Sequence, residues 1–174
     1  MNNVYSQSLE IEVDNYIKSI APTSKLSGKD IVEKCLEYNI DIAFVLAQGQ
    51  IESHYGTTGT ARKTNSVFNV GAYDGHSANK QNKNGFGFNN PNDSIEPYLI
   101  LLTNNYLVNG KTEYDLMNNY VNYLGMRYAS NNNYERMLKS IYNKIKKTTN
   151  IYDLQYNIVF NKCWSNNCNF IWII

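Results

Sequence analysis

Stretches with a clear apolar period alternate with stretches that have none, and the alternation divides the chain into a helical body and a polar insert. Residues 1 to about 27 are polar, with one weakly periodic segment (Ile11, Val13, Tyr16, Ile17, Ile20) that ends at Ala21-Pro22. This segment reads as an arm or a peripheral helix. From Asp30 to Tyr38 the residues Ile31, Val32, Cys35 and Leu36 follow helical spacing. Asp41 then opens a second helix, Ile42 to about His54, with Gly56 where a helix closes. This helix is apolar nearly all round (Ala43, Phe44, Val45, Leu46, Ala47), which places it at the centre of the fold.

Thr57 to Asn92 is rich in Gly, Asn, Ser, Thr and Lys and has no helical period. Short strands around Ser66–Ala72 and Gly85–Phe88 are expected here, forming an irregular β-hairpin lobe. Asp93 reads as the cap of the next helix, with Glu96 completing a capping box and Pro97 tolerable so early. Further helices are expected from Thr112 to Leu124 and from near Asn133, where Tyr134, Met137, Leu138, Ile141 and Ile145 share one face. Beyond Lys147, Tyr156–Phe160 and Asn169–Ile174 read as strands able to pair as a hairpin. The very apolar end, Phe170 to Ile174, suits docking on a protein or virion partner, or the stump of a longer polypeptide. The expected fold class is α+β, mainly α. The expected organisation is an N-terminal arm or peripheral helix over 1–27, one helical domain with an inserted hairpin lobe over 28–148, and an extension over 149–174.

Composition narrows the function. At 174 residues the chain suits one compact domain. A formal net charge of +1 argues against a nucleic-acid partner, which calls for a Lys/Arg excess. The 15 tyrosines offer flat apolar faces with polar tips, which suit sugar binding; AT-rich codon usage produces the same excess. Three cysteines make no complete disulfide framework, and Cys35 sits in a helical core pattern. The N-terminus shows neither the basic nor the apolar region of a secretory leader, and no stretch is apolar enough to span a bilayer. There is no phosphate-binding glycine loop and no metal-ligand spacing, so no cofactor and no metal are expected. A cysteine-based amidase or peptidase fails because Cys35 is a core residue and only His54 and His76 exist to serve as a base.

The candidate chemistry lies on the central helix. Gln48 and Glu52 are four residues apart on it and share a face. A carboxylate on so apolar a helix, facing a polar lobe, has its proton affinity raised by desolvation. A glycosidase acid needs that property, because it must hold a proton near neutral pH and give it to a leaving oxygen.

The run Leu46-Ala47-Gln48-Gly49-Gln50-Ile51-Glu52-Ser53-His54-Tyr55-Gly56-Thr57 resembles the helix motif of the glycoside hydrolase family 73 glucosaminidases. The resemblance continues through Ala61, Asn65 and Phe68, where the family has an Asn-x-Phe-Gly turn and this chain has Asn69 in place of the glycine. Asp93-Ser94-Ile95-Glu96-Pro97-Tyr98 looks like the helix start that follows the lobe. Arg127 to Tyr134 resembles the family's Tyr-Ala-Thr-Asp-Pro-x-Tyr signature, with both tyrosines kept and Thr, Asp and Pro replaced.

The resemblance implies a lysozyme-like domain that cuts peptidoglycan glycan strands as an endo-β-N-acetylglucosaminidase, with Glu52 as catalytic acid. It places Tyr128 in the cleft, orienting Glu52 or an N-acetyl group, and gives Gln48 a substrate or supporting hydrogen bond. Tyr55 and Tyr73 are candidates to stack on sugar rings, whereas Tyr134 reads as core at the head of an apolar stripe. Family members often carry a second carboxylate in the lobe, commonly a Glu after a Thr. Between Ser53 and Asp93 the only acid here is Asp74, which becomes the second catalytic candidate by elimination, or else is a turn residue before Gly75. Rival readings are a muramidase or lytic transglycosylase of the same fold, and a non-catalytic wall-binding or phage structural module. Without a leader, a wall-cutting enzyme would act from a phage virion, be released through a holin lesion at lysis, or use a specialised export apparatus.

Overall fold

A computed structural model describes residues 2–70 and 87–165. Eight α-helices cover most of these residues: α1 Asn2–Ile20, α2 Gly28–Tyr38, α3 Ile42–Ser53, α4 Ala61–Thr64, α5 Ile95–Leu101, α6 Glu113–Leu116, α7 Tyr134–Thr148 and α8 Ile151–Ser165. A 3-10 turn, Pro91–Ser94, leads into α5, and a π-helical turn, Leu102–Tyr106, extends it.

Helix α3 forms the axis of the fold. Ile42 to Gly49 are all buried, so no face of it is given to solvent over two turns. Asp41 caps it as expected, its Oδ1 accepting from Ala43 N (2.7 Å) and Phe44 N (3.3 Å). The other carboxylate oxygen accepts from Tyr142 on α7 (2.7 Å), which packs along α3. Gln155 of α8 holds the same end through Ile42 N and Ile40 O, at 2.8 Å each. The helix that carries Glu52 is thereby fixed at its start by its own cap and by two other helices, α7 and α8.

The N-terminal segment is a helix whose inner face enters the core. Leu9, Val13, Tyr16 and Ile17 are buried where α1 packs on α2 and α8. At about 1.5–3 kcal/mol per fully buried large apolar side chain, this face is a substantial part of the core. Close approach of α1 and α2 requires Gly28. A Cβ there would lie 2.5 Å from the Glu10 carbonyl oxygen, and Gly28 N donates to Asp14 Oδ1 at 2.6 Å.

Several expectations need correction. Ser66 to Val70 is a series of turns, and the described residues contain no strand, only an isolated bridge between Val121 and Arg127. The inserted β-hairpin lobe is therefore not supported; its remainder, residues 71–86, lies outside the described residues. Tyr156–Phe160, read as a strand, belongs to α8, because Ile151 and Ile158 are buried and a helix puts both toward the core. Asn169–Ile174, with the apolar tail, lies outside the described residues. The capping box sits three residues earlier than expected, with Asn90 as cap and Asp93 as its reciprocal partner. Glu96 instead accepts from Lys34 Nζ (2.9 Å) and Tyr38 (3.2 Å). The helix expected from Thr112 shortens to α6, capped by Thr112 with Asp115. Cys35 is a buried free thiol in the core. Among the described residues no helix is long and apolar enough to cross a membrane.

Candidate active site

The site forms where α3 ends. His54 and Tyr55 adopt left-handed backbone (φ 46° and 55°), followed by Gly56 at φ 80°, and the chain reverses sharply. Ser53 fastens the reversal to the next segment: its hydroxyl donates to the Val67 carbonyl (2.6 Å) and accepts from Gly56 N (2.8 Å). Val67 N in turn donates to Ser94 Oγ (3.2 Å) ahead of α5. Phe68 stacks face to face on Tyr98 of α5, with centroids 4.0 Å apart and planes 7° apart. Gly49 makes room for this stack, because a Cβ there would lie 3.2 Å from the Phe68 ring. Asn65 Nδ2 donates to the Phe88 carbonyl (2.9 Å) and, at 3.2 Å, to that of Asn89, joining the chain on either side of residues 71–86.

This places Asn69 beside Glu52. Its Nδ2 donates to Glu52 Oε2 and to the Glu52 main-chain carbonyl, 3.0 Å each. From the other side the Tyr134 hydroxyl donates to Glu52 Oε1. Glu52 itself is half-buried. Burial pushes its carboxyl above the usual carboxylate range, and the bonds from Tyr134 and Asn69 pull it part of the way back. No cation contributes to this balance among the described residues. The carboxyl is thus biased toward its protonated form, and hydrogen bonds hold both of its oxygens.

Tyrosines make up the rest of the wall. Gln48 is fully buried one turn before Glu52, and its Oε1 accepts from Tyr98 (2.6 Å) and Tyr120 (2.8 Å). Tyr120 stacks on Tyr128 with centroids 4.5 Å apart, and Tyr134 lies 5.7 Å from Tyr128. The Tyr128 hydroxyl donates to the Phe68 carbonyl (3.2 Å). Burial first, and then the nearby Glu52 charge, keep its phenol protonated. Arg127 holds this strip from behind, its Nη2 reaching both carboxylate oxygens of Glu135 at 2.8 and 3.0 Å.

Of the residues singled out in the sequence, the structure brings Glu52, Gln48 and Tyr128 together. Gln48 supports the site from within; fully buried, it has no surface for substrate. Tyr55 does not join them. Its ring is 1% exposed, turned inward by the left-handed backbone and set edge-on to Tyr16, so it cannot stack on a sugar. Asp74 and Tyr73 lie outside the described residues. Sequence reasoning missed Asn69, Tyr98, Tyr120 and the contact of Tyr134 with Glu52. Tyr134 was legible as core, being 5% exposed, but its hydroxyl partner lies 82 positions away. The available signal at Asn69 was its place at the family's glycine position, since Asn is the residue that stands in for Gly in a left-handed conformation, here φ 51°. Among the described residues no group of three or more His, Cys, Asp or Glu gathers as a metal site.

No curated protein and no solved structure matches the chain. The family model described as mannosyl-glycoprotein endo-beta-N-acetylglucosaminidase matches residues 28–147, from the start of α2 to the last turn of α7. That span contains every described residue of the Glu52 site. The chain belongs to this glucosaminidase family, and it is a glycoside hydrolase acting on peptidoglycan.

Proposed function

We propose that the enzyme cleaves the β-1,4 bond on the reducing side of N-acetylglucosamine within the glycan strand, with Glu52 as general acid. The observation that carries this reading is the state of the Glu52 carboxyl. It is half-buried at the end of a buried helix, held toward its protonated form, and oriented through both oxygens. A glycosidic oxygen set against it would receive the Glu52 proton as its bond to the anomeric carbon breaks, leaving a carboxylate that Tyr134 and Asn69 already solvate. Tyr128 lines the approach as a neutral phenol, suited to pack against a sugar ring or meet an N-acetyl group.

A second group must activate water or attack the anomeric carbon. Asp74 remains the candidate for that role. Otherwise the substrate's own N-acetyl oxygen can act as internal nucleophile. The experiment is digestion of peptidoglycan sacculi, followed by borohydride reduction and mass spectrometry of the new ends. Reduced N-acetylglucosamine supports the reading. Reduced N-acetylmuramic acid would make the enzyme a muramidase, and anhydro ends a lytic transglycosylase.

A further inference from the structure

Asn69 Nδ2 lies 3.0 Å from both the main-chain carbonyl and the Oε2 of the same residue, Glu52. Both partners are acceptors, so the nitrogen end of the amide must face them. The carbonyl is one of the last of α3, where the helical ladder supplies no donor, so the amide meets a need of the helix end as well. The turn carrying Asn69 is held by other bonds, Asn69 N to Ser66 O (3.2 Å) and Ser53 Oγ to Val67 O (2.6 Å). The Asn69 side chain is therefore not what builds its own turn.

We propose that Asn69 is a positioning residue for the acid: it ties the Glu52 carboxyl to the Glu52 main chain and so fixes the direction in which the catalytic proton is presented. The proposal rests on Glu52 being the general acid. The two contacts on the carboxyl differ in kind. A hydroxyl can donate or accept, so Tyr134 serves Oε1 whether or not Glu52 is protonated. An amide nitrogen only donates, so the Oε2 lone pair that faces it never carries the proton. Asn69 therefore biases the proton toward the other lone pairs. When the bond to the anomeric carbon breaks and its electron pair passes to the leaving oxygen, that oxygen takes the proton. The charge left on Oε2 then meets a donor already in place.

The test uses Asn69→Gly, which removes the amide and keeps a residue at ease with φ 51°. It is compared with wild type, Asn69→Asp and Glu52→Gln by kcat and KM against pH on soluble glycan strands, with thermal melts alongside. For Asn69→Gly the expected result is a kcat about tenfold lower with KM nearly unchanged. Its alkaline limb moves to higher pH, because the carboxylate has lost a donor, and Tm falls, because the carboxylate and the main-chain carbonyl of Glu52 lose the donor they share. Asn69→Asp should move the limb further in the same direction, by setting a second carboxylate beside the first. An Asn69→Gly profile that coincides with wild type, or one that loses rate with an unmoved limb and a lowered Tm, would overturn the proposal. A Glu52→Gln enzyme as fast as wild type would instead overturn the reading of Glu52 beneath it.

Discussion

Replacing Tyr134 by Phe removes one oxygen and little else, because the ring is buried and packed among Tyr120 and Tyr128. The lost contact is the hydroxyl's bond to Glu52 Oε1. A hydrogen bond to a charged group nets about 1.5–3 kcal/mol, and one pKa unit corresponds to about 1.36 kcal/mol. Glu52 is half-buried, so water replaces part of the loss, and its carboxyl is expected to move further above the usual carboxylate range. Because the acid works protonated, the alkaline limb of kcat/KM should move to higher pH with it.

Stability gives a second readout with a definite sign. Burial already holds Glu52 above its usual value of 4.5 in the folded state. Its contribution to stability is therefore complete below that value and is lost as pH rises through the folded pKa. Tyr134→Phe raises the folded pKa further, so its extra cost should be smaller at pH about 4, where the hydroxyl bonds an uncharged carboxyl, and fully expressed near pH about 8. For a chain of this length the cost at the higher pH amounts to roughly 3–6 °C in Tm. Thermal melts at the two pH values, with the pH–rate profile, decide the matter. An equal Tm loss at both, with an unmoved limb, would refute the reasoning by showing that the hydroxyl serves packing rather than the carboxylate.

Two further substitutions address the frame of the site. Gln48→Leu leaves the buried hydroxyls of Tyr98 and Tyr120 without their shared acceptor, so it should cost about 2–4 kcal/mol and lower Tm by several degrees; urea titration measures it, and an unchanged midpoint would contradict the assignment. Leu9→Ala, in a helix outside the 28–147 match, should cost about 2–5 kcal/mol and shift one cooperative transition of the whole domain. Calorimetry checks it, and an unshifted transition would show that α1 is not part of the folding unit.

The sequence made the scaffold of the site readable because that scaffold is local. The apolar wrap of α3, its Asp41 cap and the shared face of Gln48 and Glu52 follow from spacing within one helix. What escaped depends on contacts between distant residues. The hydrophobic period identified Tyr134 as buried, but no period reports that its hydroxyl ends on a carboxylate of another helix. Tyr55 follows Glu52 closely and reads as available to substrate, whereas two consecutive left-handed residues turn it inward. Tyr156 to Phe160 has the aromatic and branched composition of a strand, and packing of Ile151 and Ile158 against the core overrides that local preference. At Asn69 the difference from the family's glycine was visible, while the donor it brings to Glu52 required the fold.

The central claim is that Glu52 supplies the proton, and the most direct measurement compares Glu52→Gln with wild type on two leaving groups. On peptidoglycan, where the departing sugar oxygen needs protonation, the variant should lose about 10²–10⁴-fold in kcat/KM. On a chitooligosaccharide bearing a dinitrophenyl group, which departs without a proton, it should stay within about tenfold of wild type. A variant that still cuts peptidoglycan at the wild-type rate, or that loses both substrates equally, would contradict the assignment of Glu52 as the acid.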